Sequence, residues 1–522
     1  PGVLSRMAGH LTSVKDRLRI DPRRGPERPQ ASCHEGAPKV LLVNPPPFQK
    51  VEPYYDTPDY PRTALACLAG YLREQGIDVY VIDCKFDRLN YETGMEFYRE
   101  IKPDIVGFTA FTNEIVQAAT FAELVKAEDP DVLTVIGGVH VTALPERTMR
   151  EFSQFDYGIT GEGEETIYEF AQNFSDRASL AKLPGVCYIE NDDYCFDRPS
   201  VPIADQTTLP FPAWDMFWPA REYIIQSSRG CPYACKFCMN PGGRVVRPRT
   251  PENVLDEIGW ILDTFDAQSI SFGDEIFTIK RDRVMEICQG MIERGYHKRV
   301  EWWCQTHVRT IDLELAELMR EANCKLVGLG IESGDEATLK KMGKGTTLEN
   351  IFDAVQTMKK AKLPFMTFFI LGQPDETAEK AWSTVDFAVK LNPDLPIFGI
   401  MVPYPGTEIA RMVANGEGGY QLLSEDWNDY NKQFGNSLEF ENLPRKTLER
   451  IQFFGYLKVF IWNFRLIDLA KFIWTFRSEG IAVVKKQLGL VKKDLSVFVP
   501  FSVDSTRIEF APIKDEDAKE KK

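Results

Sequence analysis

Short apolar bursts alternate with amphipathic stretches along this chain, and the alternation occurs twice. From Lys39 the bursts read KVLLVN, DVYVID, DIVGFTAFT, DVLTVIGG and a short DYGIT, and helical spacing separates them, as in TALACLAGYLREQG. Strands joined by helices form a parallel sheet covered on both faces. Ligands of such sheets bind beyond the carboxyl ends of the strands. Here those ends read Asn44-Pro45, Thr109 to Thr112, Gly137-Gly138 and Gly161 to Glu164. Glycine at a strand end lets a large ligand approach the backbone.

The second alternation begins at Glu222. Expected strands are Tyr223–Ser228, Ser269–Gly273, Glu301–Gln305, Leu326–Glu332, Phe365–Leu371 and Ile397–Val402, with helical patterns between them. Six such units predict an incomplete barrel of parallel strands whose chemistry sits at the strand carboxyl ends. The expected organisation is a mobile tail at 1–38, a first parallel-sheet domain at 39–175, a hairpin and linker at 176–222, the partial barrel at 223–420, a mainly helical region at 421–510 and a charged tail at 511–522. The linker assignment rests on a stretch rich in proline and aspartate.

The loop after the first barrel strand reads SSRGCPYACKFCMNP and places Cys231, Cys235 and Cys238 as C-x3-C-x2-C. Three close thiolates bind metal far better than they do other chemistry. A structural zinc site wants four ligands, usually as two close pairs, and no second pair exists. A cubane [4Fe–4S] cluster on three thiolates leaves one iron open. The alternative is a zinc knuckle completed by a distant histidine or cysteine. The eleven cysteines are odd in number and mostly lie in apolar patterns, which predicts a reducing cytoplasm rather than a disulfide framework. Cys288, Cys304 and Cys324 read as structural thiols. A net charge of −15 argues against nucleic acid as a partner. No run of 18 apolar residues predicts a spanning helix, and the N-terminal stretch shows no signal-like apolar core.

C-x3-C-x2-C after a barrel strand, with Pro232, Tyr233 and Phe237 around it, resembles the radical S-adenosylmethionine (SAM) superfamily. The resemblance implies that Cys231, Cys235 and Cys238 hold a [4Fe–4S] cluster. Its open iron would bind SAM, and an electron from a donor such as flavodoxin or ferredoxin would generate a 5′-deoxyadenosyl radical. It also implies that Phe237 lies near the adenine. FGDEIF, with Gly273, Asp274 and Glu275, resembles the segment that contacts the SAM amino group. GIESG offers Glu332 and Ser333 to the ribose and carboxylate, and FILGQPDET offers Gly372 near the adenine. CQTHVR at Cys304–Arg309 and VPYPGT at Val402–Thr407 complete the set at successive strand ends.

The preceding flavodoxin-like, Rossmann-like domain resembles the cobalamin (B12)-binding group of this superfamily, through LLVNPPP, VIGGVHVTALPE and ITGEGEET. The implied cobalamin contacts are Asn44, Thr109, Thr112, Gly137, Gly138, Val139, Gly161, Glu162, Gly163 and Glu164. D-x-H-x-x-G is absent: His34 has Ser32 in the Asp position and His140 has Gly138. No protein imidazole on cobalt is therefore expected, and the loop Thr109–Glu114 is the expected source of any side chain approaching that face. A degenerate domain without corrinoid is the alternative.

The implied fold is α/β: a B12-binding parallel sheet, a partial (βα)6 radical SAM barrel and C-terminal helices. The implied activity is methylation of an unactivated carbon of a small or lipid-like substrate through methylcobalamin. A cyclisation or rearrangement without methyl transfer is the alternative within the group, and a non-catalytic corrinoid and iron–sulfur sensor the alternative outside it. Residues 456–493 carry eight Lys or Arg against Asp468 and Glu479, with Trp462, Trp474 and several Phe interleaved. That stretch reads either as a helical cap with solvated lysines or as a face for peripheral membrane contact.

Overall fold

The computed structural model describes residues 37–47, 58, 60–431 and 436–475. The tail expected at 1–38 lies almost wholly outside the described residues, as do the charged tail 511–522, Cys33 and His34.

The first five bursts become parallel strands β1 (Lys39–Asn44), β2 (Asp78–Asp83), β3 (Ile105–Thr109), β4 (Leu133–Gly137) and β5 (Tyr157–Ile159), in the order β2-β1-β3-β4-β5. β1 and β3 are buried at nearly every position, as strands covered by helices on both faces must be. The order reverses at β1, so a crevice opens above the carboxyl ends of β1 and β3.

The hairpin expected within 176–222 does not belong to a linker. Strands β6 (Val186–Glu190) and β7 (Asp193–Phe196) add antiparallel to β5 and extend the first sheet to seven strands. Asn191 and Asp192 both take positive φ, the turn that matches the twist of a two-residue hairpin. The remaining linker is a packed strap. Trp214 is fully buried, the Ala213 N–H donates to the Ala66 carbonyl at 2.8 Å, and Arg73 bonds both Asp215 oxygens.

The second alternation opens with β8 (Glu222–Ile225). A short antiparallel pair, β9 (Ser228–Arg229) and β10 (Arg247–Pro248), brackets the cysteine loop. Then come β11 (Ser269–Phe272), β12 (Glu301–Thr306), β13 (Cys324–Glu332), β14 (Phe365–Leu371) and β15 (Leu395–Ile400). The six long strands run parallel in the order β15-β14-β13-β12-β11-β8, the open barrel the pattern predicts. Helix starts are set locally. Thr250, Asp312, Asp335, Thr347, Thr377 and Thr407 each accept a hydrogen bond from a backbone N–H in the first turn of the following helix.

The region beyond 420 starts with a small hairpin, β16 (Tyr420–Leu422) and β17 (Leu438–Phe440), before its helices Arg445–Trp462 and Leu466–Thr475. The first of these helices packs on helix Ala378–Leu391 and on β15, where Gln452 donates to the Phe398 carbonyl at 2.6 Å. One apolar core runs from Val40 in the first sheet through Trp214 to Val459. On the other face of the first sheet, Val402, Trp427 and Tyr430 join its second core. Trp427 donates to Glu151 at 2.8 Å and Gln117 to Asn428 at 2.8 Å, so the chain returns to clamp the first domain. Among the described residues no helix is long and apolar enough to cross a membrane.

Candidate active site

The carboxyl ends of the first sheet face the base of the cysteine loop across a cavity of about 300 Å³, at the lower end of the range for ligand sites. Thr109, Gly137, Gly138, Gly161, Glu162, Gly163 and Glu164 line one side, and Gln226, Arg229, Pro241, Gly242 and Glu275 the other. The glycine wall fits a large planar ligand. A Cβ on Gly137 would meet nothing closer than 3.7 Å, and one on Gly163 nothing closer than 3.5 Å, so side chains there would fill the cavity. Gly138 turns the chain with φ +98, where a Cβ would lie 2.9 Å from the Ala110 carbonyl.

Three residues read as cobalamin contacts do not line this cavity. Asn44 is buried and donates to Asp83 at 2.6 Å. Thr112 is buried against His140 Nδ1 at 3.3 Å, and Val139 begins a short helix. His140 itself is buried edge-on to Trp427, and burial followed by the Arg147 charge pushes it down to about 3. In the loop Thr109–Glu114, Glu114 is buried with Lys85 at 2.9 Å and Arg62 at 3.1 Å. Burial alone would raise its carboxyl, but the two cations hold it at about 2. Phe111 of the same loop is exposed, with the Arg62 guanidinium 4.0 Å from its ring centre.

Glu162 and Glu164 have a second occupation. Arg229 donates to Glu164 at 2.5 Å and lies 3.5 Å from Glu162, while Arg247 also pairs with Glu162. All four side chains are largely buried, so these pairs hold the two sheets together at the cavity edge. Burial opposes the Arg229 charge, yet Glu164 outweighs it and keeps the guanidinium above its ordinary value. No motif in the chain announced Arg229. It directly precedes the cysteine loop, but its partner lies 65 residues away.

The cysteine loop is anchored by its backbone. Gly230 has φ +97, and a Cβ there would sit 2.2 Å from the Val245 carbonyl, so the turn into Cys231 needs glycine. Cys231 N–H donates to Gly243, Lys236 N–H to Met342, and Ile409 N–H to Lys236. Burial pushes the Cys235 thiol up to about 11, opposed by Lys344 and aided by Glu332, Cys238 and Cys231. The three thiols therefore share one electrostatic neighbourhood. Among the described residues no three His, Cys, Asp or Glu side chains are gathered as a finished metal cage. The donor set, three thiols on one loop with Lys344 close by, fits a cluster that needs three thiolates.

The loop rests on groups from later strand ends. Tyr233 stacks on His307 with ring centres 4.1 Å apart, and Arg309 N–H donates to His307 Nδ1 at 3.2 Å. Burial, then the Lys344 charge, push His307 down to about 4. Lys344 bonds Glu332 at 2.8 Å, both buried, and its ammonium lies 5.9 Å from the Phe237 ring centre. Glu332 takes φ +68 at an irregularity in β13, a backbone strain held in place beside the loop. Tyr233 and the Cys304–Arg309 segment thus meet at this site as the resemblance implies, whereas Lys344, which no motif brought forward, joins them through Glu332 and Phe237.

The remaining SAM candidates are placed unequally. Glu275 reaches the cavity, and burial pushes its carboxyl up. Asp274 is buried and accepts from Ser227 N–H and Oγ and from Ser228 Oγ at 2.6–2.7 Å, so it pins the strand that launches the cysteine loop. A Cβ on Gly273 would meet Ile224 at 2.8 Å. Ser333 turns to Asp335 N–H at 3.1 Å and to Thr384, away from the cysteine loop. Gly372 donates to Glu376 at 2.6 Å under Phe440, which a Cβ would strike. Cys288, Cys304 and Cys324 are buried in the core.

The sequence pattern of the radical SAM superfamily matches residues 225–388, and that of the B12 binding domain matches residues 56–171. An uncharacterized methyltransferase of Pyrococcus horikoshii is 34% identical over 403 residues, covering 75% of this chain and 86% of that protein. The anaerobic magnesium-protoporphyrin IX monomethyl ester cyclase of Rubrivivax gelatinosus is 30% identical over 367 residues, 67% of this chain and 66% of the cyclase. Among solved structures, the radical SAM methyltransferase TsrM of Kitasatospora setae, with cobalamin and a [4Fe–4S] cluster bound, superposes with a TM-score of 0.62 at 20% identity, covering 82% of this chain and 89% of TsrM. A three-cysteine loop on a partial barrel that matches the radical SAM pattern, joined to a sheet that matches the B12-binding pattern, makes this chain a radical SAM enzyme that belongs to the cobalamin-binding group of that superfamily.

Proposed function

We propose that the chain transfers a methyl group to an unactivated carbon of a small organic or lipid-like substrate. The observation that carries this reading is a cavity that runs from the glycine ends of the first sheet to Gln226, Arg229 and Glu275 at the foot of the cysteine loop. When bound, the cluster with SAM supplies a hydrogen-abstracting radical, and methylcobalamin supplies the methyl group.

The chain's own residues do the positioning. Cys231, Cys235 and Cys238 would hold the cluster on a loop that the Gly230 turn and the backbone contacts of Cys231 and Lys236 keep in place. Glu332 and Lys344 keep a neutralised pair beside it, so neither presents a lone charge to a radical site. Gly137, Gly161 and Gly163 would let the corrinoid lie against backbone. Arg229 with Glu162 and Glu164 sets the spacing of the two halves. Leu42, Leu65, Phe108 and Ile159 give the space between a mainly apolar lining. Reduction would come from a small electron-transfer protein such as flavodoxin or ferredoxin. A reducing cytoplasm suits eleven cysteines of which the described ones form no disulfide.

A second reading, cyclisation or rearrangement without methyl transfer, is supported by the cyclase relative. Anaerobic reconstitution with iron, sulfide and cobalamin, followed by candidate substrates and methyl-labelled SAM, separates the two. Label in product supports methylation. 5′-Deoxyadenosine with unlabelled product supports the cyclase reading. Neither product would leave only a corrinoid and cluster sensor.

A further inference from the structure

The cysteine loop is moulded to a second stretch of chain, the segment 342–346 that follows helix Glu336–Lys341. Lys236 N–H donates to the Met342 carbonyl at 3.0 Å. Gly343 and Gly345 both take positive φ. A Cβ on Gly343 would lie 3.2 Å from the Ala234 carbonyl, and one on Gly345 would lie 3.7 Å from the Tyr233 ring. Two glycines thus let the backbone on either side of Lys344 lie against the loop. His307 ties the two stretches together. Its ring stacks on Tyr233, and its Nδ1 accepts from Arg309 N–H, which leaves Nε2 to donate toward the Lys344 carbonyl at 3.4 Å. Arg309 Nη1 donates to the Gly345 carbonyl at 3.1 Å.

The Lys344 side chain is placed as firmly as its backbone. It pairs with Glu332 over Gly330, where a Cβ would lie 2.7 Å from the ammonium and 2.9 Å from the carboxylate. The pair therefore fills space that a glycine leaves open. Both partners are buried, and a buried ion pair is weak evidence for stability, so stability alone does not account for one beside three thiols. Nor is the pair symmetric about the loop. After burial, Lys344 is the strongest influence on Cys235 and outweighs Glu332. Beyond burial and Glu332, Lys344 in turn responds to Cys235 and Cys238. The positive end of the pair faces the cysteines. A cluster on three thiolates gains negative charge on reduction, and its potential follows net charge and surroundings. A fixed cation nearby favours the reduced form, and a carboxylate behind that cation trims the effect.

We propose that Lys344, held on the segment 342–346, sets the reduction potential of the cluster on Cys231, Cys235 and Cys238, with Glu332 as its counterweight. The inference rests on the radical SAM assignment and not on whether the product is methylated or cyclised.

The test is the cluster's midpoint potential in the full chain, read by electron paramagnetic resonance in an anaerobic redox titration after reconstitution with iron and sulfide. SAM is left out, so any change in its binding does not enter. K344M is expected to lower the potential by at least the equivalent of about a tenfold shift in the reduction equilibrium, about 59 mV for one electron. E332Q leaves Lys344 unopposed and should raise the potential. K344M/E332Q should lie between K344M and the parent, and K344R should stay near the parent. An ion pair that only braces the fold would not give shifts of opposite sign from its two ends. Equal potentials in the parent, E332Q and K344M/E332Q overturn the proposal, as does a downward shift in E332Q. Should K344M hold no iron because Glu332 is orphaned, the double variant gives the lysine-free reading, and a potential at or above the parent's overturns the proposal. A parent that takes up no iron fails at the radical SAM assignment itself, whereas a parent whose cluster potential ignores all four variants fails only here.

Discussion

Arg229→Met isolates the contact that joins the two halves at the active site. Arg229 is 16% exposed in its side chain, and Glu164, its 2.5 Å partner, is 6% exposed. Removing one member of a buried pair costs about 3–5 kcal/mol, because the other charge stays buried and uncompensated. Here the lower end applies, about 3 kcal/mol, because Glu162 keeps Arg247 and only Glu164 loses its partner. One apolar core links both halves, so urea unfolding of the whole chain reports the loss. R229M should fall by that amount and should retain less cobalamin after anaerobic desalting. R229M/E164Q should recover about 2 kcal/mol of it, since the orphaned charge is then gone. An R229M stability within 1 kcal/mol of the parent, or strict additivity with E164Q, would refute the reasoning.

Glu114 gives a pH signature. Its carboxyl is held at about 2 against an ordinary 4.5, worth about 3 kcal/mol. A depressed folded value means that this stability is present above pH 4.5 and is lost as pH falls from there through 2. The acid-unfolding curve of E114Q should lack that step when followed by circular dichroism, and the variant should be less stable at neutral pH because Arg62 and Lys85 lose their partner. G138A should lose about 1–3 kcal/mol in urea and most cobalamin uptake, since its Cβ would press on Ala110 in a backbone region that favours glycine. C231S, C235S and C238S should each lose bound iron and SAM cleavage after anaerobic reconstitution, whereas C288S, in the core, should keep both.

Periodicity alone located the strands because the apolar runs stand out between amphipathic stretches, as in the buried β1 and β3. The cysteine loop was equally plain, since metal chemistry requires those three residues within one turn of chain. Other features depend on partners distant in sequence. A hairpin is legible within 176–222, but that Val186–Phe196 extends the first sheet appears only when the edge of β5 pairs with it. Glu162 and Glu164 read as ligands at a glycine-rich strand end, yet Arg247 and Arg229 reach them from 85 and 65 residues away. Trp427 meets Glu151 across 276 residues.

Polar residues at strand ends explain the uneven outcome. Asn44, Asp274 and Ser333 each sit where a cofactor contact is expected, and each is captured by a neighbouring protein group. A buried polar atom must find a partner, and the sequence shows that the need exists without showing which group meets it. The chain's own order of residues was enough to determine two successive parallel α/β units and a three-thiol loop after the first barrel strand. Only the tertiary structure decided that the two units share one core and one cavity, because that depends on Arg229, Trp214 and Trp427 meeting residues the sequence keeps far apart.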